Sequence, residues 1–543
     1  MKNFIISILL MSIVVSCKNS KNNIAKLENN SIQFTKDKDY LSPDPYTEFT
    51  EEFTMNRDSF LGLQFTLEKP LVKILKDIDS NMSEEELLKN GNFQFTILVN
   101  DKEVFKENLN KGAGTYETKT KQLLYKLPLI SIEQQDSWMW FLWARYYYMS
   151  GGRDLLVDQH KITIEVRTYL KSDAIQTGSL LAKGSFNYSV AEAPFKAHEV
   201  PVQPIQPNSG WILSNDYYDT AKIEALNKKI SQKRFENIDG IVVIKEGKLL
   251  IEEYFNGEGR DTLHNPRSVG KTIASTVMGI AIEEKYIKDE NQQLKDFYDL
   301  KKFKNYSPEK EEITLKALLT MSSGMIGDDS DMSNPGNEEY MYPTDDWVKF
   351  ALDLPIDKNK KMNKDYTYFT AGVVVLGDII HKSVPGGLES YADKKLFAPL
   401  GITNYRWQYT PQGVGNTAGG IQLRALDFAK YGQLYKNKGK WNGKQILPEA
   451  WVEKSLAKQV SQAYAGIENG YYGYLFWNKV YRVNGKDYEV SFCTGNGGNK
   501  IFVFKDIPFV VVITSSNYGR PYAHTDADKM MTEYILPAVF AKK

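Results

Sequence analysis

The sequence predicts a multidomain chain in which an all-β, sandwich-like region precedes a larger α/β region. Three observations predict it. Between about residues 46 and 200, apolar and polar residues alternate in runs bounded by turn residues, as half-buried strands do. Pro201, Pro204 and Pro207 then recur every third residue, the mark of an extended, semi-rigid connection. Beyond them, strand-like runs near 240 and from 474 onward bracket a long stretch of helix and loop. At 543 residues the chain is also longer than one hydrophobic core is expected to serve.

Taken in order, residues 1–17 carry Lys2, an apolar run over 4–15, and then Val14-Val15-Ser16-Cys17. A short apolar run after a positive start reads as an export signal and is too short to span a bilayer. Small and branched residues directly before a Cys resemble the bacterial lipoprotein cleavage box. Cys17 would then be lipidated, anchoring the chain to a bacterial membrane in the cell envelope, facing periplasm or exterior. Residues 18–45, rich in Asn, Lys and Ser, read as a flexible tether. With only two cysteines in the chain, a lipidated Cys17 leaves Cys493 no disulfide partner.

Residues 46–200 include Phe93-Gln94-Phe95-Thr96-Ile97-Leu98-Val99 and Lys161-Ile162-Thr163-Ile164-Glu165-Val166, both strand-like. Trp138-Met139-Trp140-Phe141-Leu142-Trp143 reads as an aromatic-rich sandwich strand, serving either core packing or glycan contact. After the linker at 201–212, residues 213–543 open with a helix over 219–233. A hairpin about Glu246-Gly247 follows. Helix and loop fill about 285–440. Strands then recur at 474–477, 488–492, 501–504 and 509–514, before a C-terminal helix.

The most informative stretch is Ser268-Val269-Gly270-Lys271, leading into an apolar helical run over 272–282. Ser at i and Lys at i+3 share one helix face. The helix amino end beside the hydroxyl favours developing negative charge, and a neutral amine there can take the Ser proton. Ser-x-x-Lys also occurs at Ser307 to Lys310 and at Ser455 to Lys458. The first reads as a turn or an N-cap and the second as the solvated face of an amphipathic helix. Only Ser268 opens a helix apolar enough to be buried.

Other chemistries fail on the same residues. A phosphate-cradling loop ending in Gly270-Lys271-Thr272 needs a Gly where Asn265 stands. No Gly-x-Ser-x-Gly nucleophile elbow is present. The histidines His160, His198, His264, His381 and His524 show no metal-ligand spacing, so no metal or other cofactor is implied. Lys plus Arg (68) equals Asp plus Glu (68), which gives no electrostatic case for nucleic acid. No internal repeat is evident.

Five ordered stretches give the C-terminal part a wider context. They are Arg267 to Lys271, Ile313 to Met325, Tyr366 to Thr370 with Leu376-Gly377-Asp378, Gly419-Gly420-Ile421 with Asp427 to Gly432, and Cys493-Thr494-Gly495-Asn496-Gly497-Gly498-Asn499. Together they resemble the serine β-lactamase and penicillin-binding-protein superfamily, in its class C-like branch of esterases, D-aminopeptidases and 6-aminohexanoate-dimer hydrolases. The resemblance covers about 213–543. It implies an antiparallel sheet flanked by helices, a helical subdomain inserted between early and late strands, and an active site at their junction.

It also implies roles. Ser268 would be the nucleophile and Lys271 its base. Tyr368 would be the proton shuttle, ionising below its usual pKa of about 10 beside a protonated Lys, with Tyr366 as the competitor. The N–H groups of Ser268 and Asn496 would form an oxyanion hole, and Thr370, Thr494 and Gly495 would contact substrate. Thr370 stands where Asn is common and Cys493 where a cation is usual, which points away from β-lactams. The implied activity is hydrolysis of an amide or ester in a small molecule or peptide, through an acyl-serine. A silent receptor for peptide or cell-wall fragments is the alternative.

Overall fold

The structure is a computed structural model, and it describes residues 30–56, 59–131, 138–152, 155 and 159–541. The expected export signal, Cys17 and the first part of the tether lie outside the described residues. The chain divides into two compact units, Met1–Ala193 and Pro194–Lys543.

In the first unit a three-stranded sheet sets Leu61–Thr66 between Gln33–Thr35 and Leu124–Ile130. A five-stranded sheet runs Glu52–Met55, Ile175–Val190, His160–Lys171, Gly91–Val99 and Lys102–Asn108. Its pairings are antiparallel except the first, which is parallel. Leu63 and Phe65 from one sheet and Phe95, Ile97, Ile164 and Val166 from the other share one buried cluster. Residues 33–35 therefore belong to the fold rather than to a tether. Phe34 pairs across from Leu63 and packs its ring 4.7 Å from Phe186.

The unit is mostly strand but not all-β. It also holds the helices Leu71–Leu75, Glu84–Asn90, Tyr116–Thr120 and Trp138–Met149. The last replaces the strand expected over the aromatic run. Met139, Leu142, Trp143 and Tyr146 are buried, the three- and four-residue spacing of one helix face. An almost uniformly apolar run hides that period. Trp143 and Tyr146 are core residues, which removes them from any glycan-binding platform.

An eight-stranded antiparallel sheet forms the middle of the second unit. Its order is Lys248–Tyr254, Ile238–Lys245, Phe509–Ser515, Asn499–Phe504, Lys486–Gly495, Trp477–Val483, Tyr471–Tyr472 and Val460–Ser461. Val242, Ile244, Val510 and Val512 face one core, and Ile241, Val243, Val511 and Ile513 face another. Both faces are covered, so these strands are apolar throughout rather than alternating. The second core is closed by the helix Thr220–Ser231 and the C-terminal helices. The first is closed by the helical stretch between the early and late strands, including Lys271–Glu283, Thr370–Ser383 and Ala425–Lys436. The strand expected at 474–477 begins only at Trp477, because Leu475 turns the chain with φ +65°.

The proline segment forms no helix or strand of its own and is fastened to the edge strand Lys248–Tyr254. The Gln203 side chain donates to the Tyr254 carbonyl at 2.7 Å and accepts its N–H at 3.1 Å. Arg260 donates to the carbonyls of Pro207 and Gln206, and Leu249 N–H donates to the Ile212 carbonyl at 2.9 Å. Fully buried Glu253 accepts the Gln203 N–H and the Asn227 side-chain amide, both at 2.9 Å.

Burial pushes the Glu253 carboxyl up to about 7 from an ordinary 4.5. Between those values the folded chain keeps a proton that the unfolded chain has released, so stability falls as pH rises through that window. Relative to Glu253→Gln, which carries no such charge, the wild type is expected to lose about 3 kcal/mol across it. Urea unfolding of both proteins at stepped pH measures this, and parallel stability curves would refute it.

Candidate active site

Ser268 lies in the 3-10 turn Arg267–Gly270, which runs directly into the helix Lys271–Glu283. Arg267 is left-handed with φ +54°, a conformation that costs a non-glycine residue roughly 1–2 kcal/mol. Its surroundings hold it there. Arg267 N–H donates to Asn265 Oδ1 at 3.1 Å, and its guanidinium lies 4.5 Å from the Tyr518 ring centroid. Tyr518 OH in turn donates to the Asn265 carbonyl at 2.9 Å.

Two glycines press on the same turn. A Cβ on Gly495 would come within 1.9 Å of the Pro266 carbonyl oxygen, and one on Gly419 within 2.6 Å of the Arg267 oxygen. Both positions need the bare backbone.

The helix behind Ser268 is buried from Lys271 to Ala281. Several of its polar atoms are tied inside the core. Thr276 Oγ1 meets the hydroxyls of Tyr431 and Tyr435 at 2.7 and 2.8 Å. The Trp451 indole donates to the Ser275 carbonyl at 3.0 Å, and its ring lies where a Cβ on Gly279 would be. These contacts fix the helix whose first residue is Lys271.

Lys271 is 1% exposed. Its Nζ is 2.8 Å from Ser268 Oγ and donates to the Ala418 carbonyl at 2.7 Å. Ala418 N–H is held by Asn416 Oδ1 at 2.8 Å, and Thr417 Oγ1 donates to the Val373 carbonyl at 2.8 Å. Val373 belongs to Thr370–Ser383, the helix that Tyr368 precedes. The Tyr368 ring centroid is 5.2 Å from Lys271 Nζ and 5.8 Å from the Trp477 ring.

Burial pushes the Tyr368 phenol above its ordinary value, while the Lys271 charge and the Ser268 hydroxyl pull it down. Desolvation outweighs both pulls, so the phenol is raised rather than lowered, against the expectation that it ionises below 10. Tyr366 is a core residue, 5.0 Å from the Tyr472 ring and 5.9 Å from Trp477.

Ser268 and Asn496 share the wall of a pocket of ≈ 410 Å³, with Asn416, Ala418, Glu338 and Glu339 on its other sides. The turn carrying Asn496 is pinned by Gly519 N–H on its Oδ1 at 2.8 Å and by the Asn499 side chain on its carbonyl at 3.0 Å. Gly495 supports the turn from behind.

Thr370 and Thr494 do not reach this wall. Thr370 is fully buried, its N–H donating to Asp329 Oδ2 at 2.7 Å. Thr494 shares its sheet face with Val490 and Phe492, on the side of the C-terminal helices. There its hydroxyl meets His524 Nδ1 at 3.1 Å. Burial, aided by the Lys500 charge, pushes that imidazole down to about 4. Cys493 faces the other core, where burial pushes its thiol up to about 12.

Ser455 is also buried, its hydroxyl returned to the Trp451 carbonyl at 2.7 Å, contrary to the solvated face expected of that helix. Several pocket residues carried no signal in the sequence. Ala418 acts through a backbone carbonyl, Asn416 lies in a loop, and Glu338 and Glu339 open the short helix Glu338–Met341, all between the matching stretches.

Residues 228–532 match the profile of the family described as Beta-lactamase, over half of the chain, and the chain belongs to that family. No curated protein sequence matches it. Among solved structures it is similar to a putative 6-aminohexanoate-dimer hydrolase from Bacillus anthracis. That match has 20% identity and a TM-score of 0.45, covering 55% of this chain and 78% of that one. A putative beta-lactamase from Bacteroides dorei DSM 17855 gives 18%, 0.49, 60% and 100% for the same measures. A family VIII carboxylesterase gives 15%, 0.46, 59% and 97%.

The glycine contacts predict a sharp contrast. Gly495→Ala drives a methyl into the Pro266 carbonyl and is expected to cost about 1–3 kcal/mol, a fall of several degrees in Tm. Gly259→Ala, where a Cβ meets nothing within 4 Å, leaves Tm unchanged. Thermal melts of the two variants decide it, and equal melts would show that the backbone approach is not tight.

Proposed function

We propose that this chain is a serine hydrolase cleaving an amide or ester through an acyl-Ser268 intermediate. One observation carries the reading: Lys271 Nζ, almost wholly buried, stands 2.8 Å from Ser268 Oγ at the edge of a pocket. In its neutral form the amine accepts the Ser proton across that contact as Oγ attacks the acyl carbon. The Ala418 carbonyl holds the resulting ammonium in place.

Charge develops on the carbonyl oxygen as the tetrahedral intermediate forms. Backbone N–H groups of Ser268 and Asn496 are the donors proposed to receive it, an arrangement worth about 3–4 kcal/mol. Tyr368, neutral at rest, donates its proton to the leaving amine or alkoxide and recovers one through Lys271. Water then attacks the acyl-enzyme with the same groups reversed. Cys493 is buried away from the pocket, so its position supplies no cation for a substrate carboxylate, which favours simple esters and amides over β-lactams.

Attachment to the bacterial envelope through a lipidated Cys17 is a second proposal, and it rests on the sequence around that residue. Cys17→Ser is expected to move the protein from the membrane fraction to the soluble fraction of a bacterial host. Unchanged fractionation would dismiss the anchor.

A fluorophosphonate probe is expected to label Ser268, and Ser268→Ala to abolish both labelling and cleavage of short-chain p-nitrophenyl esters. Lys271→Ala and Tyr368→Phe are each expected to lower kcat by about 10²–10⁴-fold. A chromogenic cephalosporin should turn over weakly or not at all. Folded wild-type protein that takes no label would sink the hydrolase reading.

A further inference from the structure

Asp329 stands where the loop behind the pocket meets the turn that carries Tyr368. Three hydrogen bonds fix it. Its N–H donates to the Tyr368 carbonyl at 2.8 Å. Its Oδ2 accepts the Thr370 N–H at 2.7 Å, and its Oδ1 accepts the Glu338 N–H at 2.8 Å. Thr370 is the first residue of Thr370–Ser383, whose own N-cap, Phe369, offers no side-chain cap. Glu338 begins Glu338–Met341, the short helix that presents Glu338 and Glu339 to the pocket. One carboxylate therefore supplies the missing acceptor to the start of Thr370–Ser383 and takes the Glu338 N–H beside the Asn337 cap of Glu338–Met341, where negative charge is favoured.

The loop cannot drift away from this arrangement. A Cβ on Gly327 would fall 2.1 Å from the Phe369 ring, and one on Gly336 would fall 2.2 Å from the Ile326 carbonyl oxygen. Buried Asn337 donates its side-chain amide to the carbonyls of Asp329 and Asp331 at 3.2 and 3.1 Å. Burial and then the Glu338 charge push the Asp329 carboxyl up to about 6, against the pull of Thr370 and Lys271. At neutral pH the carboxylate, able to accept both N–H groups at once, is the form present.

We propose that Asp329 is a positioning residue: its bonds to the Tyr368 carbonyl and the Thr370 N–H fix the turn directly after Tyr368 and hold that phenol at Lys271 and Ser268. The same carboxylate sets the distance of the Glu338–Met341 wall from the nucleophile. This rests on the reading of Tyr368 as the proton shuttle, through which Asp329 acts. Asn in its place keeps one acceptor but turns an amide N–H toward a backbone donor, so one of the two bonds is lost.

The test is a double-mutant cycle on the full chain. It measures kcat and KM for p-nitrophenyl butyrate, normalised to the fraction labelled by a fluorophosphonate. Asp329→Asn is expected to lower kcat at least tenfold with KM within threefold. In the Tyr368→Phe background the same change is expected to move kcat less than twofold, since the group being positioned is gone. Asp329→Ala, which loses both acceptors, should do worse than Asn, and if it does not fold the Asn cycle still decides.

A purely structural role would lower the labelled fraction or Tm and leave kcat per labelled site intact. That result, or an equal loss of kcat in both backgrounds, overturns the proposal while leaving the hydrolase reading standing. Wild-type protein that takes no label overturns both.

Discussion

A lysine nitrogen cannot sit inside a protein core without partners, and the second unit is organised around meeting that demand for Lys271. Burying an unpaired ammonium costs far more than a single fold can spare. The two oxygens that meet Nζ come from different places: Ser268 is local to the turn, and Ala418 arrives from 147 residues further along. Bringing Ala418 there requires Asn416 to hold its N–H and Thr417 to lean on the carbonyl of Val373. The helix carrying Val373 begins two residues after Tyr368. Partnering the amine therefore draws hydroxyl, amine and phenol together.

The turn that carries Ser268 illustrates how such an arrangement is kept. A left-handed arginine is an unfavourable way to enter a helix, and here backbone from two other segments leaves little alternative. Gly419 and Gly495 lie so close that the chain between Pro266 and Ser268 has almost no lateral freedom. Strain at the site is sustained by packing around it, with Tyr518 tying the approach to the end of the sheet.

What the sequence revealed follows the range of the forces involved. Ser268 and Lys271 were legible because helical geometry alone brings i and i+3 together. Tyr368 was legible through spacing to the apolar helix that follows, and the early hairpin through Glu246-Gly247. The direction of Thr494 was not. With both faces of its strand buried, apolar Val490, Phe492 and Cys493 carry no phase, and only the tertiary packing puts Cys493 with the helix Lys271–Glu283 and Thr494 with His524. The aromatic run at 138–149 failed for the same reason, since a segment whose one charged residue is Arg145 shows no clear period. Ala418 and Asp329 were beyond reach. The first works through a main-chain oxygen, and the second through loop contacts that no local pattern encodes.

The proline segment has a practical bearing on dissecting the molecule. Its pairing with Lys248–Tyr254 occupies the outermost row of peptide groups in the eight-stranded sheet, and unoccupied rows of that kind recruit other chains. A truncation beginning at 213 would expose this row and strip Glu253 of its Gln203 partner, creating a sticky margin on a chimera or isolated fragment. Severing the chain at the 193/194 division retains the cover. The segment is thus better treated as the first piece of the downstream unit than as the spacer between two.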